Sequence, residues 1–217
     1  RTRDLFNNSS LWDKVAVFNK RPVGDNRDLK SLINLARESE TSLAKFNELT
    51  KIADIKQWAK FSAFQTLIQS WHNDAVHNMR VLSDPWSGKI TPIIHDTQSN
   101  FNNSENNDLI FDYSPHMLFE LYHKSSNFVF WKYYYINEFI ENNILLDTAQ
   151  HLRLLIPKLE TSWKRDAFHT QFSLTNNNQE YDASIEHLKN LWKTQIEQIE
   201  IRHTILKDLF SNDPLAK

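Results

Sequence analysis

A chain of 217 residues with 40% apolar side chains can bury a sizeable core in one generous domain or two small ones. It holds no cysteine, which excludes disulfides, thiolate metal sites and a cysteine nucleophile, and its net charge of −2 lacks the basic excess of a nucleic-acid binder. Only two glycines occur, Gly24 and Gly88, which excludes the Gly-rich phosphate loops of Walker or Rossmann type and disfavours a closed β-barrel.

Residues 1–27 mix polar and apolar positions and read as a lead-in or linker. Asp28 can cap a helix from Leu29 to Glu38, with Leu29, Leu32, Ile33 and Ala36 on one face. Ser39 to Ser42 is a polar break. Asp54 then caps a helix predicted over Ile55–Trp71, whose apolar residues lie nearly all round, the mark of a buried helix. Two short strand-like runs follow, Met79–Leu82 and Ile90–Ile94. The turn cluster Ser83–Lys89 between them makes a β-hairpin. Pro92 places its strand at an edge or beside a bulge.

Residues 97–108 are a polar, Asn- and Ser-rich loop. From Ser114 onward the periodicity is helical: Pro115–Lys124, Asn127–Asn142, Thr148–Leu159, a segment near Glu160–Phe168, and Asp182–Phe210, with a polar loop at Thr175–Gln179. The last helix carries Ile185, Leu188, Trp192, Ile196, Ile199, Leu206 and Phe210 at three- and four-residue steps. The aromatic run Phe128–Tyr135 is too short to span a membrane and contains Lys132, so it is expected in the core. No signal peptide, membrane span or internal repeat is visible, and residues 28–217 read as one mainly α domain with a small β-hairpin.

The chemistry concentrates at Trp71-His72-Asn73-Asp74-Ala75-Val76-His77-Asn78 and at His95-Asp96-Thr97-Gln98, either side of the hairpin. A tight hairpin brings its two ends together, so Asp74, Asn78 and Asp96 can converge. Three hard oxygen donors suit Mg²⁺ or Mn²⁺. A catalytic Asp, a metal-binding Asn shortly after it, a hairpin and a second metal-binding Asp form the order used in protein-kinase phosphoryl transfer. The spacing departs from the ordinary kinase loop: three residues separate Asp74 from Asn78, and no Phe-Gly follows Asp96. The plainer alternative is a polar loop whose Asp and Asn satisfy turn backbones. A metal hydrolase built on His72, His77 and His95 is a weaker alternative, because His72 and His77 are five apart and do not share a helix face. Arg80 and Lys89 flank the hairpin and can reach a phosphate, although solvated hairpin charges are the commoner case. His116, His123 and His203 read as packing or surface residues. The sequence leaves Trp86, at the turn, either exposed or folded onto the sheet.

The stretch from Lys60 to Phe101, KFSAFQTLIQSWHNDAVHNMRVLSDPWSGKITPIIHDTQSNF, resembles the core of the CotH family, the spore coat protein H-like atypical protein kinases. That pattern has a helix of aromatic and small residues, a His-x-Asp-x-x-His-Asn loop and a strand. A Gly-Lys/Arg turn and a Pro-Ile-x-x-Asp segment complete it. The later helices resemble the family's C-terminal portion more loosely, including Ile201-Arg202. The resemblance implies a protein-kinase-like C-lobe, ATP, a divalent metal (Mg²⁺ or Mn²⁺) and phosphorylation of protein Ser or Thr. It makes Asp74 the catalytic residue and Asn78 and Asp96 the metal ligands. His72, His77, Gln98 and Arg80 become supporting residues. It also favours a bacterial cell-surface or secreted setting. Gln98 stands where the family often has a second acid. Residues 1–50 offer no five-stranded N-lobe with its Lys and Glu pair. The chain is therefore expected to be a C-lobe from a longer protein, weak in ATP binding and close to inactive alone. A catalytically degenerate scaffold, or a surface or coat interaction domain, is the alternative.

Overall fold

A computed structural model describes residues 4–15, 25–70, 78–97, 116–165, 174–176, 179–181 and 185–212. They are mainly helical and divide into two compact units, meeting in sequence between Asn137 and Glu138.

In the first unit the lead-in supplies part of the core. Two 3-10 turns, Leu5–Asn7 and Ser9–Leu11, bury Leu5 and Phe6. The Asp4 carboxylate accepts from Phe6 N at 2.8 Å and from Met117 N at 2.9 Å, tying residues far apart in sequence.

Helix α1 (Arg27–Ser39) buries Leu29, Leu32, Ile33 and Ala36, the four residues expected on its inner face. Asp28 is not its cap, because Asn26 holds that position. Asp28 lies in the first turn, where a carboxylate meets the positive end of the helix dipole. Helix α2 (Leu43–Ile52) was not expected. Ser42 caps it and Leu49 is its buried residue, too sparse a pattern to announce a helix.

Helix α3 (Ile55–Ile68) begins as expected, with the Asp54 carboxylate accepting from Lys56 N and Gln57 N. It ends three residues before the expected Trp71, because Gln69 turns left-handed at φ 50°. Trp58, Ala59, Phe61, Ala63 and Leu67 are buried, and so are Ser62, Gln65 and Thr66.

Strands β1 (Arg80–Asp84) and β2 (Lys89–Ile93) pair antiparallel, with Arg80 opposite Ile93 and Asp84 opposite Lys89. Gly88 takes φ 65° and donates its N–H to Asp84 O at 2.9 Å, closing the turn. In a two-stranded sheet both strands are edges, so Pro92 removes no essential bond. Trp86, at the tip, is 96% exposed.

Three contacts dock the hairpin. Trp58 Nε1 donates to Ile90 O at 3.1 Å, Ser83 Oγ donates to Asp28 at 2.5 Å, and Lys89 pairs with Asp54 at 3.4 Å. Burial alone would raise the Asp28 pKa. The Ser83 hydroxyl, nearby backbone N–H groups and Lys14 outweigh it and hold the carboxyl below its usual value. A depressed carboxyl stabilises the fold above its unfolded pKa of about 3.9 and loses that contribution as pH falls through the folded value. Ser83→Ala should therefore move the Asp28 titration upward and make the hairpin release at higher pH on acidification. NMR titration of the Asp28 carboxyl carbon checks this.

Helix α4 (Met117–His123) is capped by His116, whose Nδ1 accepts from Phe119 N at 3.3 Å. The His116 ring stacks between Phe6 and Phe119, at 4.4 and 4.2 Å. Tyr122 donates its hydroxyl to Ala53 O at 2.6 Å. Burial, and secondarily the Asp54 charge, pushes the Tyr122 hydroxyl well above its ordinary range, so it remains a neutral donor.

Helix α5 (Ser126–Glu141) carries the aromatic run, and the expected burial fails at Phe130 and Tyr134. Lys132 is 2% exposed, while Phe130 and Tyr134 are 60% and 49% exposed. Helical spacing puts Lys132 on the inner face with Phe128 and Ile136, both fully buried.

The second unit is built on helices α6 (Ile144–Arg165) and α7 (Ile185–Asn212). The two segments expected at Thr148–Leu159 and Glu160–Phe168 are one helix through Pro157. Pairing of Arg153 with Glu200 (2.5 Å) and of Lys189 with Glu160 (3.6 Å) runs the two helices antiparallel. Strands β3 (Leu174–Asn176) and β4 (Gln179–Tyr181) form a second hairpin where a polar loop was expected. Backbone pairing does not require apolar side chains, so composition misled there.

Pro157 lacks an N–H for the α6 ladder, a defect costing about 3 kcal/mol in a helix interior. Pro157→Ala should raise thermal stability by about 1–3 kcal/mol, less than the full cost where α6 already bends to fit the ring. Calorimetric melting measures it.

On α7, Ile196, Ile199, Leu206 and Phe210 are buried as expected, while Ile185, Leu188 and Trp192 are half-buried. Arg202 is buried too, and burial draws its guanidinium down to about 10, still protonated at neutral pH.

Candidate functional site

The candidate site grows from α3 and the first hairpin. Asp54 starts α3, and the mostly buried second half of that helix, from Phe61 to Leu67, fixes its path. Gln69 ends it by turning left-handed, and Ser70 is buried where the chain enters residues 71–77. Asp74, His72 and His77 lie outside the described residues, as does Gln98.

Asn78 emerges half-buried two residues before β1. The hairpin returns to His95 and Asp96 just after β2. Its register pairs Arg80 with Ile93, so Asn78 and Asp96 both flank its open end. Paired strands run about 4.8 Å apart, so the two segments leave the open end of the hairpin from adjacent points. Asp96 is exposed, with a left-handed backbone at φ 45°. Only a few per cent of non-glycine residues take this conformation, and such outliers gather at functional sites.

Arg80 is exposed at the start of β1, also at this open end. Lys89 is at the opposite end and is turned to Asp54, so it serves the docking of the hairpin. His95 is half-buried beside Asp96. His116 is a core cap residue and His203 is buried on α7, where burial and then Lys207 lower its imidazole pKa.

The sequence reading missed a polar patch on α3. Ser62, Gln65 and Thr66 are all buried toward the helix end that leads into residues 71–77. Their three- and four-residue spacing inside an apolar helix was the available signal.

Asn78 and Asp96 present hard oxygen atoms, the donor type that holds Mg²⁺ or Mn²⁺. Among the described residues no group of three or more His, Cys, Asp or Glu forms a metal cluster. The expected donor set differs from such a cluster, since it includes an asparagine amide and Asp74. Among the described residues no helix is long and apolar enough to cross a membrane. Comparisons with protein-family models, curated proteins and solved structures return no match to this chain.

Proposed function

We propose that this chain is the helical C-lobe of an atypical protein kinase resembling the CotH family, which transfers the ATP γ-phosphoryl group to protein Ser or Thr hydroxyls. The observation that carries this reading is the hairpin geometry. Asn78 enters and a left-handed Asp96 leaves at one open end, in the segment that follows a capped helix. The β-rich nucleotide clamp, in this reading, belongs to a part of the protein outside this chain.

In this reading Asp74 accepts the hydrogen bond of the attacking hydroxyl and orients its oxygen in line with the γ-phosphorus. Asn78 and Asp96 would hold Mg²⁺ or Mn²⁺, which would supply positive charge near the phosphate oxygens. Arg80 flanks the same end, and His72 and His77 support the loop. The chemistry is mainly positioning and electrostatics, so small displacements of these groups are costly. Gln98, in place of an acid, favours a second reading, a degenerate kinase-like scaffold.

Calorimetric titration of Mg-ATP into the full-length protein separates the two. Metal-dependent binding that Asp96→Ala abolishes supports the kinase. No binding by wild type supports the scaffold. Robust, Asp96-dependent phosphorylation by these 217 residues alone would contradict the single-lobe view.

A further inference from the structure

The face shared by α3 and α5 in the first unit carries two cations and four aromatic rings. Phe130 and Tyr134 stand exposed, with near-parallel rings 6.5 Å apart. Trp131 lies between them, 5.3 Å from each, and meets Tyr135 at 5.9 Å. Lys56 Nζ sits 3.9 Å over the Trp131 ring, and Lys60 Nζ lies 5.4 Å from the Tyr135 ring.

These lysines differ from others in the chain. Lys45, Lys89, Lys164 and Lys189 each pair with a carboxylate. Among the described residues Lys56 and Lys60 have ring contacts and no carboxylate. Two positive charges therefore stand without a carboxylate partner among the described residues, at the edge of an exposed aromatic patch, on a chain of net charge −2. Clustered aromatic side chains are the usual anchors of protein interfaces, and unpaired charge at their rim selects the partner's sign.

We propose that this face docks an acidic polypeptide segment with aromatic or other large apolar side chains among its carboxylates. The spacing defines it further. Lys56 and Lys60 are one helical turn apart, about 6 Å along the axis, matching carboxylates two residues apart in an extended chain at about 6–7 Å. A nucleic-acid or anionic-membrane footprint needs a longer run of cations, of the order of four to eight. This surface is independent of the phosphoryl-transfer reading.

The test is calorimetric titration of the chain at physiological ionic strength with a synthetic peptide of alternating Glu and Tyr. A Glu-Ser peptide, oligothymidylate and phosphatidylserine vesicles form the other arms. The Glu-Tyr peptide should bind, and more tightly than the Glu-Ser peptide. Lys56→Ala with Lys60→Ala should weaken it about tenfold, as should Phe130→Ala with Tyr134→Ala. Lys56→Arg with Lys60→Arg should retain binding, and the control Lys51→Ala should leave it unchanged. Circular dichroism confirms that each variant is folded. Absence of binding, wild-type affinity in either double-alanine variant, or tighter binding of oligothymidylate or vesicles would overturn the proposal.

Discussion

Replacing Trp58 with alanine should destabilise the first unit by about 3–5 kcal/mol, a large share of the roughly 5–15 kcal/mol that holds a domain folded. Trp58 is fully buried on α3. Its ring meets Phe6, Phe119 and Tyr122 edge-on at 5.7–6.3 Å, joining the N-terminal turns, α3 and α4. Its indole N–H donates to Ile90 O and so fastens the hairpin as well. Alanine would leave a cavity and an unpaired carbonyl together. Trp58→Phe keeps most of the ring volume and loses the donor, so it should cost about 1–2 kcal/mol. Denaturant unfolding of the three proteins resolves the two contributions. Equal losses for Ala and Phe would show that the hydrogen bond, not the packing, dominates.

If the protein is the proposed kinase, Asp96→Ala should lower phosphoryl transfer by the full-length protein about a thousandfold or more. Metal charge on the transferring phosphate is worth several kcal/mol, and each 1.4 kcal/mol is tenfold in rate. Asp96→Asn keeps the size and removes the charge, so it should be nearly as inactive. Asn78→Ala should lose less, since a neutral amide contributes less to cation binding than a carboxylate. Asp96 is exposed and Asn tolerates a left-handed backbone as Asp does, so Asp96→Asn should leave the melting temperature close to wild type. A variant that melts like wild type and retains its rate would remove Asp96 from the mechanism.

Much of the architecture was legible because it rests on local periodicity. The inner face of α1 was readable as Leu29, Leu32, Ile33 and Ala36, and all four are buried. The Asp54 cap and the β1–β2 hairpin were readable for the same reason, since caps and glycine turns are short-range signals. At the candidate site the sequence alone supplied the residue types and their order around the hairpin. The backbone then added that Asp96 is left-handed and that Asn78 and Asp96 flank one end.

What only tertiary structure decided is what depends on distant partners. Leu5 and Phe6 join the core because Asp4 and His116 bring the chain's start to α4, across more than a hundred residues. The continuity of α6 through Pro157 goes against local propensity, and α7 lies against α6 over that length. Lys132 is buried while Phe130 and Tyr134 face outward, because helix phase against the core, not composition, sets which side is wet. The sequence by itself determined a mainly helical chain without glycine-rich phosphate loops or thiol chemistry. Packing decided which aromatic rings and cations remain at the surface, because burial is a property of what covers a residue.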